Sequence, residues 1–108
     1  MIRIDFLIEP DGDILGFDIK GHANFSNYGQ DIVCSAVSSV IYMVANTITE
    51  VLNIPAEIKV DEKRGKFHLL VPEDRAYACR DIFLGLKIHL LSLEEQYNKN
   101  IQVNYTEL

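Results

Sequence analysis

Residues 31–52, DIVCSAVSSVIYMVANTITEVL, decide how the rest of the chain is read. Val33, Val37, Ile41, Val44, Ala45, Ile48, Val51 and Leu52 recur at the three- and four-residue spacing of one helix face. Asn53 and Pro55 then stop the run, asparagine because it accepts a left-handed cap and proline because it cannot continue a helix. Immediately upstream, Gly21 to Gly29 reads GHANFSNYG, which follows neither the helical nor the strand period and is rich in Gly, Asn and Ser, so it is a loop.

Further out, the period changes to two. Ile2, Ile4, Phe6 and Ile8 alternate with more polar neighbours, and a second alternating run from Ile14 to Ile19 follows the turn Pro10-Asp11-Gly12-Asp13. These runs predict a β-hairpin. Beyond the helix, Glu57 to Asp61 and Lys66 to Val71 bracket Lys63-Arg64-Gly65 and predict a second hairpin. Glu73 to about Tyr97 predicts a second long helix, with Glu73 and Asp74 in the first turn, where the helix dipole favours negative charge. Ile101, Val103 and Tyr105 alternate as a last strand.

The resulting order is ββαββαβ. An α+β two-layer sandwich accommodates it most economically, with a mostly antiparallel sheet and both long helices on one face. A length of 108 residues suits one domain spanning 1–108. The second helix has more apolar surface than one packed face needs. Cys79, Ile82, Phe83, Leu86, Leu90 and Leu93 form one stripe, and Tyr77, Leu84, Ile88 and Leu91 form another on the opposite side. The spare stripe predicts a homodimer through this helix.

Composition narrows the function classes. With 48% apolar and 24% charged residues the chain is globular rather than disordered. Sixteen acidic against ten basic residues give a formal charge of -6, which disfavours direct nucleic-acid binding. The start has no basic region followed by a long apolar run, and no stretch is expected to approach the roughly 20 apolar residues that cross a bilayer, so a cytoplasmic protein without membrane contact is expected. Cys34 and Cys79 form no C-x-x-C pair and are read as thiols.

One constellation carries chemistry. His22 opens the Gly-rich loop, and Cys34 lies in the expected first turn of the helix after it, so GHANFSNYGQDIVCSAVS can bring imidazole and thiol together. A helix N-terminus and a neighbouring imidazolium both favour the reactive thiolate. Cys34 falls at the border of the apolar stripe beside Ser38, where it can face a cleft, and amides near Cys34 and Ser35 are candidate oxyanion donors. The structural alternative is that Cys34 is a small buried hydrophobe and His22 a solvated loop residue. Asp31 either caps the helix or orients His22, and Ser38 either donates a hydrogen bond near the sulfur or is a surface serine. Cys79, central in its stripe, reads as core. His68 and His89 have no partner at metal-ligand spacing and read as structural or surface residues. No P-loop, dinucleotide fingerprint or G-x-S-x-G elbow is present.

The segment Gly21 to Ser38 resembles the signature of the ribosomal-processing cysteine proteases, Prp, in which G-H-A is followed by a short loop and G-x-D-I-V-C-A-A-V-S. Ser35 stands where that pattern has Ala. The resemblance implies a catalytic dyad of His22 and Cys34, supporting roles at Asp31 and Ser38, and no metal or cofactor. It also implies a substrate, the short N-terminal extension of large-subunit ribosomal protein twenty-seven, which ends in aromatic residues. On that footing the Gly21 to Gly29 loop is expected to close over the peptide, with Phe25 and Tyr28 either contacting it or anchoring the loop. Two rival classes stand beside the protease: a non-enzymatic ribosome-assembly or peptide-binding module, and a redox sensor built on Cys34.

Overall fold

The computed structural model describes the backbone of residues 1–21 and 28–108, and the side chains of these except 28–31. Its elements run β1 (Ile2–Ile8), β2 (Ile14–Lys20), α1 (Tyr28–Asn46), a π-helical turn (Thr47–Val51), β3 (Glu57–Asp61), β4 (Lys66–Leu70), two 3-10 turns (Glu73–Arg75 and Tyr77–Cys79), α2 (Arg80–Gln96) and β5 (Ile101–Glu107). The five strands form one mixed sheet in the order β3-β4-β2-β1-β5. All neighbours are antiparallel except β1 and β5, which run parallel. The expected α+β class and ββαββαβ order both hold.

Alternation sorts the strands. Ile2, Ile4, Phe6, Phe17, Ile19, Phe67, Leu69 and Ile101 point to one face and join a single buried core with both helices. The opposite face is largely polar apart from Leu7 and Leu70: the Thr106 hydroxyl donates to Asp5 at 2.6 Å, and His68 lies 2.6 Å from Asp18 and 3.2 Å from Glu57. Both helices therefore cover one side of the sheet, α1 through Val33, Val37, Ile41, Val44, Ala45 and Ile48, and α2 through Phe83, Leu86, Leu90 and Leu93. Gly16 is fixed by close approach, since a Cβ there would lie 1.9 Å from the carbonyl oxygen of Leu69.

Both helices depart from expectation at their ends. α1 begins at Tyr28 rather than Asp31, so Asp31 lies inside the helix and is not its N-cap. At the other end the Thr47 and Thr49 hydroxyls donate to the carbonyls of Met43 and Ala45, and the last turn widens into a π turn closed by the Leu52 N–H on Thr47. Asn53 then takes the left-handed conformation expected of it, at φ 54. The second helix does not start at Glu73. Ala76 and Cys79 reach the core three residues apart, the period of a 3-10 turn, and regular α geometry begins only at Arg80.

The stretch Ile32–Val51 corrects the expectation about membrane-length segments, because by length and composition alone it is long and apolar enough to cross a bilayer. A third of it is buried, and that inner stripe is a wall of the domain core. Serines, Asn46 and threonines interrupt the rest.

Candidate active site

Cys34 sits in the second turn of α1 and is half-buried. Cys34, Ser38 and Tyr42 follow one another at i, i+4 and i+8 and share a face of the helix. That face borders a cleft of about 280 Å³, whose other side is the β3–β4 hairpin through Val60, Asp61, Glu62 and Phe67. Val37, Ile41 and Phe67 make its inner wall mainly apolar, while Asp61, Glu62 and Lys66 put charge at the rim. Tyr42 stands edge-on to Phe67 with ring centroids 5.4 Å apart, so an aromatic corner closes the end of the cleft away from the thiol.

Gly21 also lines this cleft and anchors the segment that enters the loop. Its φ is +99 and a Cβ would sit 2.3 Å from the Met1 carbonyl oxygen, so only glycine fits there without backbone movement. Its N–H donates to the Gly65 carbonyl at 3.0 Å, tying the end of β2 to the hairpin turn.

The structure thus brings Cys34, Ser38 and Gly21 to one cleft. Ser35 is exposed on α1, one residue on from the thiol. His22 and Phe25 lie outside the described residues, and of Tyr28, Gly29 and Asp31 only the helical backbone is described. The early start of α1 changes the expected electrostatics. An α-helical amide bonds four residues back, so the N–H groups of Cys34 and Ser35 are committed to the helix and are not the orphan donors expected for an oxyanion. The helix-end field also fades within the first turn, so it helps a charge at Cys34 less than a first-turn position would.

Cys79 has the environment expected of a core residue. It is 0% exposed, and burial pushes its thiol pKa up. His68 joins three strands by facing Asp18 with Nδ1 and Glu57 with Nε2. Hydrogen bonds from His68, then from Lys59, hold the Glu57 carboxyl below its ordinary value. No cluster of three metal-ligating side chains occurs among the described residues. Sequence reasoning missed Tyr42, Val60 and Phe67; Tyr42 was findable as the continuation of the Cys34–Ser38 face.

The family model described as Cysteine protease Prp matches residues 1–102. This chain belongs to the Prp family of cysteine proteases. A "Ribosomal processing cysteine protease Prp" of Staphylococcus aureus is 30% identical over 105 residues, covering 97% of this chain and 99% of its own. A crystal structure of S. aureus Prp in complex with a substrate peptide superposes with TM-score 0.88 at 29% identity, covering 98% of this chain and all of that one. A second, in complex with a covalently linked product peptide, gives TM-score 0.86 at 30% identity with the same coverage. The protein is accordingly a cysteine protease, and the binding-module reading of its cleft gives way. With Cys79 wholly buried, no accessible second thiol accompanies Cys34 to support a redox sensor.

Proposed function

We propose that this protease removes the short N-terminal extension of large-subunit ribosomal protein twenty-seven in the cytoplasm, with Cys34 as nucleophile and His22 as general base. The observation that carries the reading is the position of Cys34, a half-buried thiol at the border of a mainly apolar cleft that shares its walls with a sheet edge. An extension ending in aromatic residues matches such walls, and Tyr42 and Phe67 supply aromatic surface at one end.

His22 takes the thiol proton, and the thiolate attacks the scissile carbonyl to give a tetrahedral intermediate. Its collapse breaks the C–N bond, and the imidazolium returns its proton to the departing amine. Water, deprotonated by His22, then cleaves the thioester and releases the extension. With the Cys34 and Ser35 amides engaged in the helix, the Ser38 hydroxyl, one turn on and exposed at the cleft, is the donor from α1 assigned to the sulfur or the oxyanion. Asp31 orients His22 in this reading, its capping role having lapsed with the earlier helix start. The loop closes on bound peptide, and Phe25 and Tyr28 contact it. The outer stripe of α2 and the turn before it, with Tyr77, Leu84 and Ile88 exposed, is the surface for a homodimer.

The test is mass spectrometry of the extended ribosomal protein after incubation with the parent protein, Cys34→Ala and His22→Ala. Removal of the extension by the parent and by neither variant is expected. Cleavage that survives Cys34→Ala overturns the mechanism.

A further inference from the structure

The sheet's main-chain bonds can be traced outward from Gly21. Its N–H donates to Gly65 and the N–H of Val71 donates to Leu15, at the two ends of the β2–β4 pairing. Bonded and non-bonded pairs alternate in an antiparallel ladder, so Phe67 and Leu69 turn their main-chain groups toward β2, and Lys66, His68 and Leu70 turn theirs toward β3. Their register partners Asp61, Lys59 and Glu57 face back to β4. The N–H and C=O groups of Ile58 and Val60 therefore point away from the sheet, and among the described residues nothing bonds to them.

The opposite edge is treated differently. On β5 the outward N–H of Val103 is taken by the Glu94 carboxylate at 2.6 Å, and that of Ile101 by the Tyr97 carbonyl at 3.1 Å. Proteins commonly blunt a sheet edge in this way, because bare ladder groups recruit other strands. Among the described residues, this blunting is seen at Ile101 and Val103 of β5 and not at Ile58 or Val60 of β3. The side chains of Ile58 and Val60 are 39% and 46% exposed on the helix-bearing face, and Val60, Asp61 and Glu62 continue directly into the wall of the cleft that Cys34 borders.

We propose that the substrate chain docks as an added strand on β3, exchanging main-chain hydrogen bonds with Ile58 and Val60 and delivering its scissile bond along the cleft to Cys34. This deepens the reading given under Proposed function and rests on it. The occupant is an extended peptide rather than a second copy of this chain because the open groups are continuous with the catalytic cleft. Strand addition holds a backbone extended, while alternate side chains enter pockets. Successive substrate residues would face the apolar wall of Val60, Val37 and Tyr42 and the polar face of Glu57, Lys59 and His68 in turn.

The experiment is a cleavage assay on a synthetic peptide spanning the extension and the first residues of mature ribosomal protein twenty-seven, together with a set in which each amide N–H in turn is replaced by an ester oxygen. Esters at every second position are expected to lower kcat/KM roughly five- to tenfold each, with the positions between unaffected. Ile58→Pro removes an outward N–H that the sheet does not use; it should raise KM by a similar factor while circular dichroism and the iodoacetamide reactivity of Cys34 stay at parent values. Lys59→Pro, which breaks a bond to β4, should instead unfold at lower temperature. A parent protein that leaves the unmodified peptide intact overturns the substrate reading and this proposal together. Normal cleavage without the alternation, or Ile58→Pro acting only by dissociating a dimer, overturns the strand-addition proposal alone.

Discussion

The main-chain N–H of Gly21 donates to the carbonyl of Gly65 at 3.0 Å, where β2 gives way to the segment that carries His22. The bond joins that segment to the turn of the β3–β4 hairpin and so fixes one end of the cleft floor.

Gly21→Ala is expected to be among the more damaging single changes in the chain. It forces a non-glycine residue to φ +99 and places a Cβ 2.3 Å from the Met1 carbonyl. Strain of this kind costs about 2–3 kcal/mol, which at this chain length lowers Tm by roughly 10 °C or more in thermal unfolding.

Alkylation of the native protein with iodoacetamide is expected to modify Cys34 long before Cys79. Cys34 borders an open cleft, whereas Cys79 is 0% exposed and its pKa is raised by burial. Peptide mapping should find the Cys79 adduct only after unfolding in denaturant. Cys79→Ala should cost about 1–2 kcal/mol in stability yet retain the kcat/KM of the folded fraction.

Tyr42→Ala opens the aromatic corner with Phe67 and is expected to reduce kcat/KM roughly tenfold for a peptide whose aromatic side chain reaches the end of the cleft away from the thiol, mainly through KM. Tyr42→Phe keeps the ring pair and should remain within about twofold of the parent. Equal losses in the two variants would transfer the role from the ring to the hydroxyl.

Glu57 ties β3 to the rest of the sheet through His68, and its carboxyl titrates below the ordinary value of 4.5 when folded. A lowered folded pKa gives stability that is complete above about 4.5 and is lost as pH falls through the lower folded value. Glu57→Gln should therefore melt below the parent at neutral pH, by about 2 °C or less at so exposed a site, and the gap should close in acid below pH 4.5. A gap that widens in acid would contradict this linkage.

How far the sequence carried can be read from particular residues. The hairpin turns, the stop at Asn53 and the core stripe of α1 follow from local chemistry, and each stands where the period and turn residues put it. The parallel pairing of β1 with β5 was not legible, because Ile2 and Ile101 meet only through packing across nearly the whole chain. The start of α1 was misread because Asp31 is a good cap by residue type, while the helix begins a turn earlier. The 3-10 turns before α2 were missed because Ala76 and Cys79 fit a helical stripe as well as a three-residue period. At the site, Cys34 and Ser38 were visible on one helix face, but the aromatic corner needed Tyr42 and Phe67 to meet from elements 25 residues apart.

The carboxylate of Glu94 on the Val103 amide has a consequence for the protein in crowded solution. Growth of a stack of β-sheets requires every unit to bond on two sides, as polymerisation requires monomers with two reactive ends. With the Ile101 and Val103 amides already occupied, the β5 edge offers an incoming strand fewer partners than β3 does, so each molecule is closer to a chain end than to a link: it welcomes a guest strand on one side and discourages it on the other.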